Sequence, residues 1–336
     1  MADQNNLTRR KFIKQFGFGM FATTFPFPFK NFIMKTTTKQ FDVIIIGGSY
    51  SGLAAAMALG RALKEVLVID GGKPCNSQTP YSHNFLTQDG EIPAIIAGMG
   101  KNEVKMYNTV TFTDDLAVKG VKTEDTFKIE TASGEKYTAK KLIFATGIKD
   151  IIPDIPGFSE SWGISVLHCP YCHGYEVRNE KTGILGNGDY AYELSKMISN
   201  WTKDLTIYTN GQSTLAPEQV RKLESHNIKI VEKEIKKLDH INGHIQNMVF
   251  NDDTVLPLTA LYSPRPFIQH CSIPEVLGCE VTEDGYLKVN GFQETSIYGI
   301  YASGDNTTRM RTVANAVATG TTAGIAASKK LILEQF

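Results

Sequence analysis

The chain has 336 residues, of which 42% are hydrophobic, 21% are charged and 29 are glycine, a composition typical of a globular protein of about two domains. Basic and acidic residues each number 35, so the net charge is zero and gives no electrostatic argument for a nucleic acid or a membrane surface as partner. Five cysteines in a chain of this length do not make a disulfide scaffold.

The N-terminal segment carries a possible export signal. Thr8–Lys14 contains a twin arginine followed by an aromatic and an aliphatic residue, and it leads into the mildly apolar run Phe16–Phe29. Two prolines interrupt that run, which is unfavourable for a transmembrane helix. A basic leader, or a true start at Met34, explains the segment equally well. We therefore expect residues 1–40 to lie outside the fold, and the protein to be either cytoplasmic or exported to the periplasm.

A first nucleotide-binding motif follows the leader. Phe41–Ile46 is an apolar run, interrupted only by Asp42, of the kind that forms a central parallel strand, and a glycine-rich turn and a helix come directly after it. In the turn, Gly47 permits the tight bend and Gly52 lets the helix pack closely, while Ser49 occupies the position of the middle glycine. Asp70, at the end of the next strand, is placed to accept hydrogen bonds from a ribose. The alternative is a turn of a parallel sheet that binds nothing.

The next segment contains a predicted hairpin and another strand. Phe127–Thr131 and Glu135–Thr138 have the pattern of a short hairpin, and a separate buried strand from Lys141 ends in Ala145-Thr146-Gly147. Prolines after that strand indicate that the chain leaves one domain through a linker.

The middle of the chain carries a CxxC motif, in which Cys169 and Cys172 are flanked by His168 and His173. Such a pair can form an internal disulfide, often with one thiol held as thiolate, and it then stores two electrons. Three alternatives remain: attachment of a c-type haem, a zinc site built from the two cysteines and two histidines, or structural cysteines without chemistry.

A second glycine motif follows the CxxC pair directly. The strand Thr182–Leu185 leads to Gly186 and Gly188, with Ala191 in place of the third glycine. The next strand, Leu205–Tyr208, is followed neither by an acid for a ribose nor by arginines for a 2′-phosphate. The motif therefore predicts a second dinucleotide fold, and it leaves open whether NADPH, NADH or neither binds.

Near the C-terminus a short strand ends in Gly304 and Asp305, and the helix Thr312–Lys330 follows. An acid between a strand end and a helix N-terminus can hold a polyol chain beside its phosphate. A simple turn aspartate would explain the residue equally well.

The order of these motifs, from Phe41 to the C-terminus, resembles the low-molecular-weight thioredoxin reductase family of flavin disulfide oxidoreductases. The resemblance implies an α/β fold with two Rossmann-like dinucleotide-binding domains. Residues 41–150 and 266–336 would form a discontinuous FAD-binding domain, and residues 151–265 an inserted NAD(P)-type domain that carries the CxxC pair.

The resemblance also implies roles for the motifs. FAD would bind the first fold and NADPH or NADH the second, with Cys172 facing the flavin and Cys169 exchanging with a dithiol or disulfide substrate, either a small molecule or a protein. His173 would act as acid and base at a position where the family usually has aspartate. The family further implies a homodimer without metal, nucleic acid or stable membrane insertion.

Three residue patterns depart from thioredoxin reductases. His173 is more similar to the branch of dithiol oxidases of the gliotoxin and holomycin type, which pass electrons from a small dithiol through flavin to oxygen. The missing arginines after Tyr208 weaken the expectation of NADPH, and Ser263–Pro266 differs from the usual glycine and Pro-Asn. The expected function is an FAD-dependent dithiol/disulfide oxidoreductase of the thioredoxin reductase type, which passes electrons from NAD(P)H through flavin to a disulfide substrate. The alternatives are an oxygen-dependent oxidase of small dithiols that uses no nicotinamide, and a non-catalytic flavin-containing redox sensor or binding protein.

Overall fold

The computed structural model describes residues 39–336, so the predicted leader and its export signal lie outside the described residues. The strands are β1 (Lys39–Ile46), β2 (Val66–Asp70), β3 (Val110–Asp114), β4 (Ala117–Lys122), β5 (Phe127–Thr131), β6 (Lys136–Phe144), β7 (Ile148–Asp150), β8 (Val166–Leu167), β9 (Thr182–Leu185), β10 (Leu205–Tyr208), β11 (Lys229–Val231), β12 (Ile235–Ile241), β13 (His244–Phe250), β14 (Val255–Pro257), β15 (Ala260–Tyr262), β16 (Phe267–Gln269) and β17 (Ile300–Ala302). The helices are α1 (Tyr50–Arg61), α2 (Pro93–Val104), α3 (Phe158–Ser161), α4 (Pro170–His173), α5 (Gly188–Ile198), α6 (Pro217–Ser225), α7 (Ile273–Val276) and α8 (Val313–Gln335).

The first sheet has the order β3-β2-β1-β6-β5-β4, and β17 also pairs with β6. Its strands β3, β2, β1, β6 and β17 are parallel, which brings their carboxyl ends to one edge. In β1, Val43 and Ile45 pack towards α1 and α8, while Ile44 and Ile46 pack into the core on the opposite face. Burial on both faces explains why the second half of this strand, Val43–Ile46, is apolar at every position.

The second sheet is parallel and has the order β11-β10-β9-β15-β8. It contains the second glycine motif, between β9 and α5, and β8 leads directly into the CxxC segment. The fold class is therefore confirmed: a mixed α/β protein with two parallel sheets of Rossmann type.

Two small antiparallel units complete the fold. Strands β12, β13 and β14 form a three-stranded sheet, and β7 pairs with β16 as a two-stranded ribbon. The ribbon joins the two places where the domain boundaries were predicted, at 150/151 and 265/266. Those boundaries themselves stay a prediction.

The structure changes the limits of several predicted elements. β1 begins at Lys39, two residues before the predicted strand, because Lys39 and Gln40 pair with β6. The predicted hairpin strand and the strand that precedes Ala145 are one strand, β6, which was wrongly divided. Its first half pairs with β5 and its last three residues pair with β17, so its burial changes along its length although its hydrogen bonding is continuous.

The long C-terminal helix packs against α1 through small residues. A Cβ on Gly320 would lie 2.1 Å from the carbonyl oxygen of Ser51, and one on Gly324 would lie 2.6 Å from that of Ala55. The two backbones can approach this closely only because neither glycine has a side chain. No helix within residues 39–336 is both long and apolar enough to span a membrane.

Candidate functional site

The first glycine turn has no room for a side chain at positions 47 and 52. Gly47 has a φ of +105°, and a Cβ on it would lie 2.2 Å from the carbonyl oxygen of Ala145. A Cβ on Gly52 would lie 1.8 Å from the carbonyl oxygen of Gly47, far inside van der Waals contact. The turn from β1 into α1 is therefore as tight as the sequence predicts.

The N-terminus of α1 lies open above this turn. Ser49 is the residue before the helix, yet its side chain makes no capping hydrogen bond, and the first helical turn contains no acidic residue. Asp70, at the end of β2, lies against the turn, because a Cβ on Gly48 would be 2.7 Å from its Oδ2. Its Oδ1 accepts a hydrogen bond from the Gly72 amide at 3.1 Å. Free helix amides beside a carboxylate suit a phosphate followed by a ribose.

The ends of β6 and β17 bring the remaining predicted residues to the same edge. The carbonyl oxygen of Phe144, just before Ala145-Thr146-Gly147, accepts a hydrogen bond from Asn306 Nδ2 at 2.9 Å. Gly304 has a φ of +86°, and a Cβ on it would lie 3.0 Å from the Ser51 side chain in α1. The structure thus gathers all the predicted first-site residues, which come from four separate parts of the chain.

Asp305 belongs to a charged cluster that sequence reasoning missed. Arg311 donates two hydrogen bonds to Asp150, at 2.8 and 2.7 Å, and its Nε lies 3.7 Å from Asp305 Oδ2. Burial raises the pKa of the Asp305 carboxyl, although Arg311 opposes that change.

The Cys75 thiol lies beside this cluster, with its Sγ 3.7 Å from the Asp305 carboxylate. Although Cys75 reaches solvent, the protein around it and the charge of Asp305 raise the pKa of its thiol to about 12. Cys75 is therefore a protonated, unreactive thiol at neutral pH.

These residues fit the FAD that the family resemblance implies. The glycine turn and the open N-terminus of α1 would receive the pyrophosphate, and Asp70 the ribose. The buried Asn306 offers a further observation, because no group within residues 39–336 donates a hydrogen bond to its Oδ1. An unpaired buried acceptor beside Asp305 is expected where a ligand supplies the missing donor.

The CxxC motif forms a disulfide between Cys169 and Cys172, at the start of the one-turn helix α4. The Cys172 amide donates to Cys169 Sγ at 3.1 Å, a position that would stabilise a thiolate on Cys169 after reduction. Cysteines joined in this way are unavailable as ligands of zinc or for thioether bonds to haem. Within residues 39–336 no group of three histidine, cysteine or acidic side chains could hold a metal ion.

Both histidines beside the disulfide are held neutral. Burial, and secondarily the charge of His83, lowers the pKa of His173 to about 4. Burial, followed by the charges of Arg311 and His173, lowers the pKa of His168 to about 3.

The buried histidines should make stability depend on pH. An unfolded histidine takes up a proton near pH 6.5, whereas His173 does so only near pH 4, so the unfolded state binds more protons between these values. The free energy of unfolding should therefore fall as the pH drops through this window, by about 2 kcal/mol for His173 at pH 5. Urea unfolding of His173→Gln should show a smaller fall. His244→Gln, which removes an exposed histidine, should leave it unchanged, and equal falls in both variants would contradict this origin.

A cleft beside the disulfide brings in residues that sequence reasoning did not assign. The Nδ1 atom of His83 lies 3.6 Å from Glu176 and 3.8 Å from Asp89. His83 and Asp89 precede the CxxC segment by about eighty residues in the chain, whereas Glu176 follows it directly. No local pattern relates these residues, so only the fold could reveal the contact.

The second glycine turn differs from the first in being closed. Asn187 Oδ1 accepts hydrogen bonds from the amides of Gly188 and Thr214, at 2.9 and 2.8 Å. A Cβ on Gly188 would lie 2.9 Å from Thr214 Oγ1, and one on Gly186 would lie 3.4 Å from the Tyr190 ring. The third predicted residue, Ala191, is fully buried in α5. These residues belong to the second sheet and form a group separate from the first site.

Comparisons with known proteins agree with this geometry. Residues 41–320 match the family model described as pyridine nucleotide-disulphide oxidoreductase. Thioredoxin reductase tcpT of Claviceps purpurea is 31% identical over 310 residues, which cover 89% of this chain and 97% of that protein. The putative thioredoxin reductase TrxB of Bacillus anthracis has a TM-score of 0.84 at 31% identity, covering 88% of this chain and 100% of that one.

A third similar protein carries a less specific name. The oxidoreductase of Agrobacterium tumefaciens has a TM-score of 0.82 at 33% identity, covering 88% of this chain and 99% of that one. The family match spans most of the chain and includes both glycine turns and the cysteine pair. The chain therefore belongs to the pyridine nucleotide-disulphide oxidoreductase family, as a thioredoxin reductase-like oxidoreductase that acts on sulfur groups.

Proposed function

We propose that this protein oxidises a low-molecular-weight dithiol to its disulfide, through the Cys169–Cys172 pair and FAD, with dioxygen as the final electron acceptor. The observation that carries the proposal is the closed second glycine turn, which disfavours a nicotinamide cofactor. The resemblance of the sequence around His173 to dithiol oxidases supports the same direction.

The second turn is less suited than the first to bind a pyrophosphate, because one of its amides is already hydrogen-bonded, a loop lies across it and its helix begins with an acidic residue. The Gly188 amide is already bonded to Asn187, and Asn187 Nδ2 also holds the carbonyl oxygen of Gln212 at 2.8 Å, so the 212–214 segment lies across the turn. Asp189 places a carboxylate in the first turn of α5, where it complements the helix dipole in place of a phosphate. A dinucleotide would have to displace the loop and approach this negative charge.

The chemistry at the cysteines can be written from the residues present. A thiolate of the substrate attacks Cys169 Sγ, the Cys169–Cys172 bond breaks, and Cys172 leaves as a thiolate. The second thiol of the substrate then attacks the mixed disulfide, releasing the oxidised substrate and the Cys169 thiol. When bound, FAD would supply the redox chemistry that restores the disulfide, with dioxygen taking two electrons and two protons to give hydrogen peroxide.

His173 is suited to move the protons of this exchange. Its lowered pKa leaves it neutral but weakly basic in the oxidised protein, so it accepts a proton from an attacking thiol only once its pKa rises. A thiolate formed on the neighbouring Cys172 would raise its proton affinity during the reaction, because an opposite charge favours the imidazolium. The acid and base role predicted for His173 is thus part of the proposal.

A reductase that uses NADPH or NADH is the second candidate function. The name of the matched family and the names of the relatives favour it, because both refer to pyridine nucleotides or to thioredoxin reductases. In that direction electrons would flow from the nicotinamide to the Cys169–Cys172 disulfide and then to a disulfide substrate. The homodimer implied by the family stays a prediction in either case.

Anaerobic stopped-flow mixing separates the two candidates. We expect dithiothreitol to bleach the flavin absorbance of the FAD-loaded protein within seconds, and NADPH and NADH to leave it unchanged. Readmission of oxygen should then restore the absorbance and produce one hydrogen peroxide per dithiol oxidised. Rapid bleaching by either nicotinamide would instead establish the reductase, and bleaching by no donor would contradict both functions.

A further inference from the structure

The cleft beside the disulfide has the size of a small-molecule site. It has a volume of about 330 Å³, at the lower end of the range for such sites. Pro170 and Tyr171, the two residues between the cysteines, form part of its wall, so a bound molecule would lie against the segment that carries the disulfide. The loop that carries His83 and Asp89 also lines the cleft.

One wall of the cleft is aromatic. The rings of Tyr171 and Trp201 meet edge to face, with centroids 5.4 Å apart. Trp201 can lie here because residue 174 is glycine, whose Cβ would be 2.8 Å from the indole Nε1. Tyr175 extends this wall and is largely exposed. These rings offer an apolar surface to the body of a substrate.

The cleft is also lined by two carboxylates. Asp89 and Glu176 both line it and hold His83 between them, at 3.8 and 3.6 Å. Two carboxylates and one imidazole carry a net negative charge whether or not His83 is protonated. Arg178 does not line the cleft, because its guanidinium stacks on the Tyr175 ring at 3.9 Å and donates to the Tyr175 carbonyl oxygen.

We infer that this cleft is the substrate site and that it selects low-molecular-weight dithiols without negative charge. The inference rests on the proposed dithiol oxidation and specifies its substrate class: an uncharged or cationic dithiol whose apolar body lies against Tyr171 and Trp201. An anionic substrate would meet like charges at Asp89 and Glu176, and because both side chains reach solvent the repulsion is moderate and sensitive to salt.

Dihydrolipoamide and dihydrolipoate provide a matched pair of probes, because they share one dithiol and one carbon chain and differ only in an amide or a carboxylate. With the FAD-loaded protein and oxygen, kcat/KM for the amide should exceed that for the acid about tenfold, which equals about 1.4 kcal/mol. The preference should decrease at high ionic strength, because salt screens charges that reach solvent.

Variants identify the origin of the preference. In the double variant Asp89→Asn/Glu176→Gln the ratio should fall to about twofold or less, since the repulsive charges are gone. Asp253→Asn removes a carboxylate from the exposed turn between β13 and β14, at a positive φ that asparagine tolerates, and it should keep the wild-type ratio.

The possible failures are distinguishable. If the wild-type protein oxidises dithiothreitol but turns over both lipoyl probes equally, or if the double variant keeps the wild-type ratio, the charge selection is wrong and the proposed dithiol oxidation stands. If no dithiol is oxidised and none reduces the flavin, the proposed function itself fails, and this inference fails with it.

Discussion

Replacing Cys172 by serine should lower dithiol turnover by about 1,000-fold or more, because a group that forms and breaks the covalent bonds of the reaction has no substitute. Serine cannot form the Cys169–Cys172 disulfide, so the substrate has no bond to reduce and its electrons have no route onward. The measurement is oxygen consumption with dithiothreitol by the FAD-loaded variant.

Flavin spectra assign the two cysteines separately. If Cys172 faces the flavin, Cys169→Ser should retain a long-wavelength thiolate-to-flavin absorbance band and Cys172→Ser should lack it. Cys271→Ser is the matched control, because Cys271 is a cysteine outside the pair, and it should keep turnover within about twofold, as expected for a substitution away from the reacting groups. Retention of the band in Cys172→Ser would overturn the assignment of Cys172.

Replacing Gly52 by alanine should abolish FAD binding and lower the free energy of unfolding by about 3 kcal/mol, the upper end of what overpacking costs. The added Cβ would lie 1.8 Å from the carbonyl oxygen of Gly47, and backbone at a tight turn cannot move aside as a flexible side chain can. α1 would be pushed away from β1, and its N-terminal amides with it. The bound FAD per protein and the midpoint of urea unfolding measure the two effects.

Gly98→Ala is the matched control for this substitution. Gly98 lies in α2, and a Cβ on it would meet no atom within 4 Å. Alanine at a compatible helical position should stabilise the protein by about 0.4–1 kcal/mol and leave FAD binding unchanged. Equal FAD content in Gly52→Ala and Gly98→Ala would show that the close contact at the first turn does not govern cofactor binding.

Much of the fold could be predicted because its signals are local. The run Phe41–Ile46 is apolar at every position except Asp42, and its last four residues, which are all apolar, distinguish a strand buried on both faces from one exposed on one face. The division of β6 into two strands was wrong for a complementary reason. Its polar residues Lys140 and Lys141 interrupt the apolar pattern, yet Lys140 bonds Asp42 at 2.9 Å and Lys141 bonds Glu334 at 2.8 Å, contacts that depend on distant segments.

The residues of the candidate site likewise fall into those that a local motif identifies and those that only a long-range contact brings together. Gly47 and Gly52 were identified because the required backbone shape is encoded within a few consecutive residues. Arg311 and Asp150 were missed, although they form a two-hydrogen-bond ion pair next to Asp305, because 161 residues separate them in the chain. A charge alone in a sequence does not indicate which distant charge it will meet.

The sequence by itself determined the motifs, their order and the family, since glycine turns, a CxxC pair and apolar strands are each set by short-range chemistry. Only the tertiary structure decided that the second turn is closed, because Thr214 bonds Asn187, which lies 27 positions earlier in the chain. It also decided that His83 faces Glu176 beside the disulfide. Such contacts are set by how loops pack against one another, and packing between distant segments leaves no periodic pattern in the sequence.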